Sequence, residues 1–117
     1  MLIKINDEFD INSKLIKKVY IEHENNLVKV KVHTDTEELD VFCSNNSFEN
    51  CAYAYLLKTL IGVQVSYKKY FPYNIDYYIR ESLEIFDINS IETEDDFIKE
   101  IGILMNDFAD DLVRDLA

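Results

Sequence analysis

The chain has 117 residues, nearly half of them hydrophobic, and carries a net charge of −11. That length supports one domain with a core of its own, and that hydrophobic share excludes an intrinsically disordered chain. The acidity argues against nucleic acid or acidic membranes as direct partners, and two cysteines are too few for a disulfide framework. No apolar run is long enough to span a membrane, and the first ten residues reach acidic positions too soon for a signal peptide. The expectation is a cytoplasmic protein with reduced thiols, in a bacterium or in the host of a phage.

Leu2, Ile3 and Ile5 read as a short first strand, a fourth member for the sheet that follows, with residues 7–13 as a polar connection or bulged turn. Residues 18–43 form the clearest pattern in the chain. Val28, Val30 and Val32 alternate with Lys29, Lys31 and His33, and Val19 with Ile21 and Leu39 with Val41 do the same on either side. A two-residue loop at Asn25-Asn26 places Ile21 opposite Val30, Val19 opposite Val32 and Glu22 opposite Lys29. A second loop over residues 34–37 places Val32 opposite Leu39, Val30 opposite Val41 and Lys31 opposite Asp40. Both loops put the apolar residues on one face and opposite charges on the other. The outward face is then Lys18, Tyr20, Glu22, Lys29, Lys31, Glu38, Asp40 and Phe42, and the inward face includes a row of His23, Val28 and Cys43.

Ser47 is placed to cap a helix over residues 48–61, apolar on several sides through Phe48, Cys51, Ala52, Tyr55, Leu56 and Leu60, with Gly62 to end it. Val63, Val65 and Tyr67 alternate as in a strand, either a fifth member of the sheet or an extended segment outside it. After Pro72, Asn74 caps a second helix over 75–86 with a stripe of Ile75, Ile79, Leu83 and Phe86. Thr93 caps a third over 94–116, with Asp96 completing an acidic capping box. Phe97, Ile101, Leu104, Phe108 and Leu112 recur at three- and four-residue spacing there, flanked by Ile98, Met105 and Leu116. The fold class is α+β: one domain over 1–117, an antiparallel meander of three to five strands within 2–43, and three helices on one face.

The charge is unevenly placed. Residues 81–117 hold twelve acids against Lys99 and Arg114, a net −10, while residues 1–80 hold eleven acids and ten bases, a net −1. Asp96, Glu100, Asp107, Asp110 and Asp111 fall on the side of the third helix away from its apolar stripe. Residues four apart on a helix are separated by about 6 Å along the axis, close to the interval between phosphates on one strand. Such a row imitates a phosphate backbone and suits a basic groove. A solvated face would need no such concentration of like charge.

Tyr67, Tyr70, Tyr73 and Tyr77 form a second candidate surface, since tyrosine buries area with little entropy loss and keeps a polar tip. Tyr55 and Tyr78, lying on apolar stripes, are expected in the core. The His23, Val28, Cys43 row and Cys51 lack the spacing of a zinc site, and two glycines cannot build a phosphate-cradling loop. The pattern therefore predicts no enzyme, no cofactor and no metal. It predicts a binding protein that inhibits a basic, nucleic-acid-handling partner, as an immunity protein does a nuclease or an anti-CRISPR-type phage inhibitor its effector. The alternatives are a small assembly protein that dimerises through the tyrosine patch, and an enzyme that uses carboxylates.

Overall fold

Alternating valines and lysines make the meander, and its first two strands pair in the expected register. In the computed structural model, which describes residues 2–24, 27–67, 75–85 and 88–116 (backbone alone at 24, 63–67, 85, 108–109, 111–113 and 115–116), β3 (Ile16–Glu24), β4 (Leu27–Thr34) and β5 (Glu38–Ser44) form one antiparallel sheet in that order. Val19 lies opposite Val32, Ile21 opposite Val30 and Glu22 opposite Lys29. Val30 and Val32 are fully buried, worth about 1.5–3 kcal/mol each. The second loop forms over the expected residues. The Thr34 hydroxyl donates to the Glu37 carbonyl at 3.1 Å and accepts from the Glu37 N–H at 3.1 Å.

The charged face is tied both straight across, by the expected Lys31–Asp40 pair, and diagonally. Lys31 Nζ lies 2.7 Å from Glu22 and 3.3 Å from Asp40, while Lys29 reaches Asp40 at 3.2 Å. Glu22 first, and Asp40 after it, raise the Lys31 pKa against the cost of desolvation.

On β5 the register departs from expectation. Lys31 faces Asp40, but Val30 faces Phe42, so Val41 is an extra residue in a bulge. An extra residue reverses every later side chain. Phe42, expected outside, is buried, and Cys43, expected inside, is exposed. Phe42 stacks on Tyr53 with centroids 4.1 Å apart and rings 3° from parallel. The inward row of His23, Val28 and Cys43 does not form: His23 is exposed and Cys43 lies opposite Lys29.

The first strand does not extend the meander. β1 (Leu2–Lys4) pairs with β2 (Asp10–Asn12) in a sheet of its own, with Ile3 opposite Ile11. Asn6 closes this small hairpin, its Oδ1 accepting from the N–H groups of Glu8 at 2.8 Å and Phe9 at 3.0 Å. The connection expected over 7–13 therefore contains a strand, which one apolar residue, Ile11, was too little to reveal.

α1 (Ser47–Tyr67) lies across all three strands of the meander. Its cap is Asn46, not Ser47: Asn46 Oδ1 accepts from the N–H of Phe48 at 2.9 Å and of Glu49 at 3.3 Å. Buried Asn50 ties the same turn to β5 by donating to the Ser44 carbonyl at 2.8 Å. The helix passes through Gly62 and takes in residues 63–67, expected as a fifth strand or an extended segment. A lone glycine costs about 1 kcal/mol in a helix, and extending a helix already four turns long is easier than starting a strand.

α2 (Ile75–Ile85) buries Ile75 and Ile79; Pro72, the Asn74 cap and Phe86 lie outside the described residues. α3 (Glu94–Leu116) starts as expected, with the Asp96 N–H donating to Thr93 Oγ1 at 3.1 Å. Both helices pack on α1. The main core joins β1–β5, α1 and α2, and a second cluster of Ala52, Ile88, Ile91, Phe97 and Ile101 joins α1 to α3. No helix among the described residues is long and apolar enough to cross a membrane.

Candidate functional site

α3 is held by one side and open on the other. Phe97 and Ile101 are buried, and Phe97 stacks on Phe48 of α1 with centroids 5.2 Å apart. That anchoring turns Asp96, Glu100, Asp107 and Asp110 outward, and all four are exposed. Asp111 lies on the same helix, with its side chain outside the described atoms. Glu94, Asp95 and Asp96 occupy the first turn, where the helix dipole favours negative charge.

Beside this acidic face lies an apolar hollow of about 340 Å³ between α1 and the start of α3. Phe48, Cys51, Tyr55, Phe97 and Ile98 line it, with Glu94 at its margin. Ile98 is 59% and Tyr55 47% exposed. Tyr55, expected in the core, thus points outward, because the sheet and the other two helices cover other sides of α1. Burial first, and then Glu94, push the Cys51 thiol pKa up, which keeps it protonated and a poor nucleophile.

The tyrosine surface is only partly described. Tyr77 is 47% exposed on α2, its ring edge-on to half-buried Tyr78. Tyr67 ends α1 with its side chain outside the described atoms, and Tyr70 and Tyr73 lie outside the described residues.

A polar cluster that sequence reasoning missed links the sheet to α1 and α2. The fully buried Tyr53 hydroxyl donates to Asp76 Oδ1 at 2.6 Å, and Arg80 Nε donates to both Asp76 oxygens at 3.0 and 2.9 Å. The guanidinium sits 5.1 Å over the Phe42 ring, within reach of a cation–π attraction. Burial first, then the Asp76 carboxylate, hold the Tyr53 pKa well above its ordinary value. A buried phenol bonded to a carboxylate that Arg80 also holds fastens the sheet, α1 and α2 together. The i, i+4 spacing of Asp76 and Arg80 was a legible signal; their junction with Tyr53, 23 positions earlier, was not.

Next to Arg80 is a hollow of about 290 Å³ bordered by Glu49, Leu83, Glu84 and Ile88. Among the described residues no group of three or more His, Cys, Asp or Glu could hold a metal ion. Compared with known proteins, the chain matches no family model, no curated protein and no solved structure.

Proposed function

We propose that this is a non-enzymatic acidic binding protein that inhibits a basic, nucleic-acid-handling partner, in the manner of a nuclease immunity protein or an anti-CRISPR-type phage inhibitor. The observation that supports this reading is the exposed row of Asp96, Glu100, Asp107 and Asp110 on a helix anchored by its opposite side. A row fixed on a packed helix presents charge without first ordering it, which lowers the entropic cost of association. The field speeds encounter with a basic surface, and the apolar hollow at the head of the same helix offers a place for durable contact.

The test is affinity capture from the native host's lysate with wild-type protein and a Glu100→Lys/Asp107→Lys variant, at low and high salt. The expected result is one basic nucleic-acid-handling protein retained by wild type, released by salt, and bound about tenfold or more weakly by the variant. Capture indifferent to both salt and charge reversal would refute the proposal.

A further inference from the structure

We propose that the outer edge of β3 pairs with β3 of a second copy of this chain, joining two meanders into one six-stranded sheet. β3 is an edge of its sheet: among the described residues, only β4 pairs with it. It is also the longest strand, at nine residues. Long open edges are templates for strand addition, and proteins usually blunt them with bulges or cover. The opposite edge, β5, is bulged in its middle and has Phe42 stacked beneath it. On β3 the register shift comes between Ile16 and Lys18, leaving 18–24 regular.

The strand is complementary to itself. Counting from the closing pair Glu24–Leu27, antiparallel alternation turns the N–H and C=O of Lys18, Tyr20 and Glu22 toward β4, and those of Val19, Ile21 and His23 outward. An antiparallel copy must therefore match odd-numbered residues with odd. Centring the two-fold axis on Tyr20 satisfies this. Val19 then faces Ile21 of the second copy through about four ladder hydrogen bonds, and Tyr20 faces its own counterpart as a non-hydrogen-bonded pair. On the same side, Lys18 of each copy lies opposite Glu22 of the other, so the lysines that would repel a foreign edge attract this one. A two-fold interface requires this kind of self-matching.

Among the described residues the apolar side of the edge is open as well. Hollows of about 300 and 410 Å³ run between β3 and α1. Ile16, Ile21 and Ile61 beside them are only partly buried, and Tyr55 overhangs the first. A two-fold axis perpendicular to the sheet puts both α1 helices on one side, with these openings facing each other.

The test uses the full chain in a Cys43→Ser/Cys51→Ser background. A non-hydrogen-bonded pair holds its Cα atoms about 4.5 Å apart, within disulfide range. Tyr20→Cys should therefore cross-link on mild oxidation. Lys18→Cys, whose counterpart would be four positions or about 13 Å away, should not. By light scattering the wild-type protein should have twice the 13.8 kDa chain mass, and Lys18→Glu, folded by circular dichroism, should dissociate at least tenfold more readily. A single-chain mass at every concentration, cross-linking at position 18 as readily as at 20, or a dimer indifferent to Lys18→Glu would each overturn the proposal.

Discussion

Replacing Tyr53 with Phe removes one oxygen from the junction of sheet, α1 and α2 and leaves its packing in place. The lost bond, 2.6 Å to a carboxylate, belongs to the class worth about 1.5–3 kcal/mol. Asp76 keeps both contacts with Arg80, and its side chain is 20% exposed, so water can reach the vacated lone pair. The expected cost is therefore at the low end, about 1.5 kcal/mol, or a fall in Tm of roughly 6 °C for a chain this long. Urea unfolding followed by circular dichroism measures it directly, with an unchanged m-value as the check that the folded and unfolded states stay comparable. The raised Tyr53 pKa adds a second signature. The unfolded chain loses this proton near pH 10 and the folded chain retains it. The contribution is therefore complete below about pH 10 and declines as pH rises beyond it. Lys31, also raised, declines in the same direction, so Tyr53→Phe should flatten the alkaline fall without abolishing it. A variant within about 0.5 kcal/mol of wild type, with an unaltered alkaline limb, would refute this account of the junction.

Two further pairs of substitutions probe places where structure and sequence pattern part. Phe42→Ala should cost about 3–5 kcal/mol while Cys43→Ser stays within about 0.5; denaturant titration showing the reverse would place the bulge elsewhere. Asn46→Ala should cost about 1 kcal/mol through loss of the α1 cap and Ser47→Ala much less, as thermal melts of the two variants would show.

The meander was legible because two independent constraints, the apolar alternation and the length of each loop, agreed on one register as far as Lys31 and Asp40. It ceased to be legible at Val41, because a bulge depends on what packs beneath the sheet, here the flat ring of Tyr53 against Phe42. Thr93 was readable as a cap because a strongly periodic helix follows it; Ser47 and Asn46 both suit a cap chemically, and only backbone geometry chooses between them. The run from Val63 to Tyr67 fits either period, and the helix before it decided the outcome. Of the candidate site, the acidic face of α3 followed from residue spacing alone. The hollow beside it did not, since Tyr55 and Ile98 become neighbours only when α3 returns along α1.

Asp76 has one more bond: its backbone N–H donates to the carbonyl of Ile5 at 2.8 Å. One residue thus fastens α2 both to the amino-terminal hairpin and, through its side chain, to Tyr53. In kinetic terms, α2 completes its docking only after segments some seventy positions apart have met, whereas the meander closes through short loops and is free to form early. Release of either partner then loosens the same first turn of α2. The expected outcome in hydrogen exchange is that the amino-terminal hairpin and this helix open as one unit, their backbone protection rising and falling together.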